Sequence, residues 1–197
     1  MKRAALIVAL AAAAVGLPAA ASGQIGYGYD GPKFLKAVRD GNGTMATEMV
    51  EAQGSTVINY HDVDGDTALH IVTRHRNYNW VGFLLQKGAD PNLSGKDGDT
   101  PLIIAARLGW GQGADKFLSS GANINKVNKL GETALIAAVQ QRQVDMVRML
   151  LEKGADPSKT DRVGYTARDY AKRETRVPEL LRLIETIKPT GAAKLKL

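Results

Sequence analysis

Residues 128–160, NKLGETALIAAVQQRQVDMVRMLLEKGADPSKT, hold two short helical patterns back to back. Gly131, Thr133 and Ala134 introduce an apolar run that continues to Val139. A second run sets Val144, Val147, Leu150 and Leu151 on one helical face before Gly154 ends it. A helix pair of this size cannot bury both apolar stripes by itself, so it requires copies stacked beside it.

The copies are present. Gly65, Gly98, Gly131 and Gly164 recur at an interval of 33 residues, and so do Thr67, Thr100, Thr133 and Thr166. Gly88-Ala89-Asp90, Gly121-Ala122-Asn123 and Gly154-Ala155-Asp156 keep the interval, and Asn59, Asn92 and Asn125 extend it upstream. These landmarks, with Thr67-Ala68-Leu69-His70, Thr100-Pro101-Leu102-Ile103 and Gly88-Ala89-Asp90-Pro91-Asn92, closely resemble the ankyrin repeat over about residues 32 to 187. The resemblance implies an all-α solenoid of helix–loop–helix units joined by hairpin fingers. It also implies capture of a protein partner by the fingertips and concave groove, and no reaction. In this register the chain divides into an amino-terminal cap (32–61), full repeats at 62–94, 95–127 and 128–160, and a carboxyl-terminal cap (161–187). A Gly-rich leader (22–31) and a tail (188–197) flank them.

Met1-Lys2-Arg3, the apolar run Ala4 to Val15, Gly16-Leu17-Pro18 and the small residues Ala19 to Ala21 form the three parts of a secretory signal peptide. Residues 1–21 are therefore expected to be removed, with cleavage after Ala21 or, as the alternative, at Gly23. The run is shorter than the ~20 apolar residues that a spanning helix needs. An Ala-rich leader of this kind points to the periplasm or to secretion, and loss of Lys2 and Arg3 lowers the formal net charge of +6 by two. That bias is weak and no basic block accompanies it, so nucleic acid is not an expected partner. Cysteine is absent, which excludes a lipoprotein processing site and leaves packing between repeats to supply the stability of an exported monomer.

Pro32 is expected at the first position of the first helix, and Met45 to Ala52 form its partner. The second full repeat is the irregular one. Gly109, Gly111 and Gly113 stand where its second helix should begin, and each interior glycine costs roughly 0.5–1 kcal/mol relative to alanine, so a short or late-starting helix is expected. Trp110 in this stretch has two readings. It is either an exposed binding anchor beside the groove, or a plug folded back into the volume that Gly113 and Ala114 leave empty.

Chemistry is sparse. Asp62, Asp64 and Asp66 resemble part of a calcium loop, but the glycine is fourth and the twelfth residue is Thr73, and the same finger recurs in Asp97-Gly98-Asp99. His70 and His75 are five apart, off one helical face, and His70 takes the position where the family braces neighbouring loops. The Gly109 to Gly113 run lacks the strand and the lysine of a phosphate-binding loop, and no nucleophile with an assisting base is recognisable. No cofactor, metal or catalysis is expected; a metal-handling or stress-protection role stands as the alternative to protein binding.

The expected partner surface follows the register. Fingertips supply Asp64, Asp66, Asp97, Asp99, Lys129 and Glu132. Helix ends supply Arg74, Arg107, Gln140 and Arg173, with His75, Leu108 and Gln141 beside the first three and Trp110 close by. This places an acidic ridge next to a basic, mixed groove, in a form that either steers a partner or is satisfied by pairing of the two rows.

Overall fold

A computed structural model describes residues 30–187; the expected signal peptide, residues 22–29 of the leader and the tail lie outside the described residues. Among the described residues the chain forms ten α-helices in five antiparallel pairs. These are α1 (Asp30–Arg39) with α2 (Gly43–Glu51), α3 (Ala68–Arg74) with α4 (Tyr78–Gln86), α5 (Pro101–Arg107) with α6 (Gly111–Ser119), α7 (Ala134–Gln140) with α8 (Val144–Glu152), and α9 (Ala167–Arg173) with α10 (Glu179–Thr186). The first helices pack in the series α1, α3, α5, α7, α9, and α4, α6, α8, α10 stack in a second layer behind them. The only β features among the described residues are the isolated bridges His61–Thr67 and Thr160–Thr166. The architecture is the all-α repeat solenoid that the period implies.

The recurring threonines start the helices. Thr100 Oγ1 accepts the Ile103 N–H at 3.3 Å, Thr133 Oγ1 that of Ile136 at 3.2 Å, and Thr166 Oγ1 that of Asp169 at 3.2 Å, each satisfying a first-turn donor without an intrahelical partner. Pro101 adds its preset φ at the first position of α5. Small side chains then bring the helices close. Ala105, Ala106, Ala137 and Ala138 are fully buried between Leu102, Ile103, Leu135 and Ile136, and burying each of those larger chains contributes about 1.5–3 kcal/mol. In the cap, Pro32 lies at the third residue of α1 instead of its first, where its missing N–H still costs no intrahelical bond.

The recurring asparagines tie repeat to repeat. Asn59 Oδ1 accepts the Asp90 N–H at 2.8 Å, Asn92 Oδ1 that of Asn123 at 2.7 Å, and Asn125 Oδ1 that of Asp156 at 2.9 Å. Each bond crosses one junction of the stack, so the ladder holds the loops behind the helices in register.

The expectation of a short or late second helix in the irregular repeat is not met. α6 spans nine residues, like α4 and α8, and its start at Gly111 lies 33 residues from both Tyr78 and Val144. The reason is Trp110, which is only 8% exposed and lies against Gly113, where a Cβ would fall inside the indole. The glycine makes room for the ring, and the buried ring offsets the poor helix propensity of the sequence around it. Lys116 is half-buried on the same helix.

Candidate binding surface of fingers and groove

Three of the four fingers are tight turns organised by an Asx residue. Asp62 Oδ1 accepts the N–H groups of Asp64 and Asp66 at 3.1 and 2.9 Å; Asn128 Oδ1 does the same for Leu130 and Glu132, and Asp161 Oδ1 for Val163 and Tyr165, all at 2.9 Å. The second finger has Gly95 in this place. A Cβ there would collide with the side chains of Asp66 and His70, and Asp66 Oδ1 reaches across to accept the Lys96 N–H at 2.9 Å. Neighbouring fingertips touch through their backbones: Lys129 N–H donates to Asp97 O at 3.0 Å and Arg162 N–H to Leu130 O at 2.9 Å. Gly98 and Gly131 permit this approach. Both have positive φ, and a Cβ on either would sit 2.7 Å from the backbone nitrogen of the next tip.

Behind the tips runs a buried polar thread. His70 Nδ1 accepts the Thr67 N–H at 3.1 Å, which places the ring proton on Nε2, and Nε2–H donates to Asp99 O of the next finger at 3.0 Å. Burial pushes the pKa of His70 down, against the pull of Asp66, and keeps the imidazole neutral. Its place in the fold matches the bracing role that the resemblance implies.

The acidic ridge needs correction. Asp66, Asp99 and Glu132 are only 7%, 6% and 7% exposed and lie inward of the tips. Arg74 holds Asp66 in a two-pronged pair at 2.5 and 3.0 Å, while Arg107 pairs with Asp99 of its own repeat and reaches Glu132 of the next at 2.6 Å. Asn128 Nδ2 donates to both of these carboxylates at 2.9 Å and separates their charges. Burial opposes ionisation of Asp66, yet the bonds from Arg74 and the Lys96 amide carry its pKa below the ordinary value. Glu132 is likewise lowered against burial, by hydrogen bonds from Asn128, Gln140 and Arg107. The acidic and basic rows are thus largely partners of each other. Arg173 stacks over the Tyr165 ring at 3.9 Å, and Tyr170 O–H donates to Asp161 at 2.6 Å.

Of the expected surface residues, Asp64, Asp97 and Lys129 stand exposed at the tips, and His75 and Gln141 stand exposed at the ends of α3 and α7. Leu108 is half-buried at the end of α5, its carbonyl accepting from Arg76 at 2.6 Å. Trp110 is not a presented anchor; its indole belongs to the core. Gln140, Arg173 and Tyr170 meet Val139 and Glu174 around a recess of about 220 Å³ at the far end of the groove. Asp62, Asp64 and Asp66 do not converge: Asp62 Oδ2 pairs with Arg39 at 2.5 Å, and Asp66 turns to Arg74. Among the described residues no group of three or more His, Asp or Glu is placed to hold a metal ion.

The tips themselves carry residues that the sequence reading passed over. Val63, Leu130 and Val163 are 104%, 57% and 74% exposed, and Lys96 and Arg162 are exposed beside them. The signal was in the register. One column reads Val63, Lys96, Lys129, Arg162 and the next reads Asp64, Asp97, Leu130, Val163, so the exposed ridge passes from acidic to basic and apolar along the stack.

Comparison with protein-family models matches residues 64–96 to the ankyrin repeat, and residues 88–161 and 112–184 to a three-copy ankyrin-repeat model. No curated protein matches the chain. With the family models covering most of the described stack, and with its helix pairs in register over the same span, the chain belongs to the ankyrin repeat family.

Proposed function

We propose that this chain is a non-catalytic protein-binding module, exported to the periplasm, that holds a protein partner along its fingertips and the adjoining groove. Ankyrin repeats support a protein–protein interaction module and are generally not enzymes. The observation that carries the placement is the exposure of Val63, Leu130 and Val163 at three of the four fingertips, apolar side chains that stand in solvent although stacking makes no use of them. By contrast, the charged rows behind the tips are occupied by one another. Export is supported by the sequence of residues 1–21, and no described helix is long and apolar enough to cross a membrane.

A photoreactive residue placed at Val163 in the native host tests the surface. A discrete cross-linked species is expected from Val163 and none from Asp145, an exposed position on α8. Absence of any species from Val163 overturns the reading. For export, mass analysis of the native protein should find a new terminus at Ser22 or within a few residues of it; an intact Met1 refutes it.

A further inference from the structure

We infer that the occupant of the fingertip ridge is an extended acidic peptide segment with a negative side chain at every third residue and apolar side chains between. This rests on the binding-module reading above and names the partner's chemistry. Three observations lead to it.

The first is charge. Lys96, Lys129 and Arg162 occupy one register column, are exposed, and have no ion-pair partner among the described residues, whereas Arg74, Arg107 and Arg142 are each paired. Asp97 beside Lys96 neutralises the second finger, so the positive field is strongest over Lys129 and Arg162. The second is apolar surface at the same place. Leu130 and Val163 adjoin those two cations, and Val127, 43% exposed, lies beside the third finger. An occupant must therefore be anionic and apolar at once. The row also lacks aromatic side chains, which a single-stranded nucleic acid would need for base stacking.

The third is spacing. The tips advance with the stacked first helices, whose axes lie roughly 8–10 Å apart. The backbone bonds from Lys129 to Asp97 and from Arg162 to Leu130 tie each tip to the next, so the cation column follows the repeat of the stack. A polyproline II chain turns once every three residues and rises about 3.1 Å per residue, so one turn advances about 9 Å and presents the same face again. Its acidic side chains, three apart, meet successive cations. Its intervening apolar side chains meet Leu130 and Val163. A flat β-strand would put residues three apart on opposite faces and lose this match.

The test uses the protein without residues 1–21 and fluorescein-labelled nonapeptides, read by anisotropy at low and high salt. One peptide carries Asp at every third position with Pro and Leu between, and an isomer of the same composition bunches its Asp residues at one end. The spaced peptide should bind, weaken with salt, and lose about tenfold in affinity to the Lys129→Glu, Arg162→Glu double variant. Both side chains are exposed and unpaired, so an unchanged melting curve is expected to show the variant folded. No binding, equal binding of the bunched isomer, an undiminished affinity in the double variant, or tighter binding of an oligothymidylate probe would each overturn the assignment. Failure of the peptides while the Val163 cross-link persists removes this assignment alone. Absence of the cross-link removes the reading on which it rests and the assignment with it.

Discussion

The indole of Trp110 occupies the volume that a side chain at Gly113 would need. The two residues form one packing device in the repeat whose second helix is poorest in helix-forming residues. Trp110→Ala should cost about 3–5 kcal/mol in denaturant melts, as loss of a buried aromatic does. Gly113→Ala should also destabilise, although alanine is the better helix former, because the ring must move. In the double variant the ring is already absent, so the two costs should fall short of adding. Full additivity would show that the indole does not rest on Gly113.

Among the described residues, Arg107 alone ion-pairs with a carboxylate in its own repeat and with another in the next. Removing it leaves Asp99 and Glu132, both mostly buried, bridged by Asn128 and with Gln140 as the other partner of Glu132. Arg107→Met keeps much of the stem packing and should lower stability by about 1–3 kcal/mol, between the exposed-pair and buried-pair limits. The loss should shrink when Glu132→Gln is combined with it. Equal losses in the two backgrounds would mean that the Arg107–Glu132 contact contributes nothing across the junction.

Much of this was legible in the sequence because a 33-residue period constrains every repeat at once. The threonines at 67, 100, 133 and 166 marked the helix starts, and the asparagines at 59, 92 and 125 kept the same period, although their bonds across the junctions come from the structure. What escaped was depth within a finger. Asp64 and Asp66 are two residues apart and read alike as acidic tips, but the turn sends the first into solvent and the second inward to Arg74. Composition cannot reveal that difference; only the path of the turn does. The plug reading of Trp110 was open in the sequence, but the full length of α6 escaped for a related reason. Glycine reads as a helix breaker until the ring that fills its empty side is known.

The Asn92 side chain makes two bonds across one junction, accepting from Asn123 N–H at 2.7 Å and donating to Gly121 O at 3.0 Å. Asn92→Ala should cost about 1–2 kcal/mol for the two lost bonds, both to exposed backbone groups that water then meets. Because a solenoid is stabilised between nearest neighbours, the variant should also unfold less cooperatively, with a smaller denaturant slope. A shift in midpoint with the slope unchanged would show that this junction does not limit coupling between the two halves.

Acid should weaken the fold in two stages, and the first belongs to His70. Its ordinary pKa is 6.5 and burial lowers it in the folded chain, so below pH 6.5 the unfolded chain takes up a proton that the folded chain refuses. The unfolded state then binds more protons, and stability falls as pH falls from 6.5 toward the folded value. Asp66 and Glu132 add the second stage. Their folded pKa values lie below the ordinary 3.8 and 4.5, so their contribution is intact above those values and is lost as pH drops through the lowered ones. Denaturant melts at a series of pH values check both stages. The wild type should be level above neutrality, begin to decline as pH falls below 6.5, and decline further below about pH 4.5. His70→Gln lacks a titratable ring; it should be less stable at pH 8, where the bonds to Thr67 and Asp99 are weakened, yet should not show the decline that begins at pH 6.5. If the variant keeps that first decline, the proton is taken up elsewhere and the neutral His70 brace is not its source.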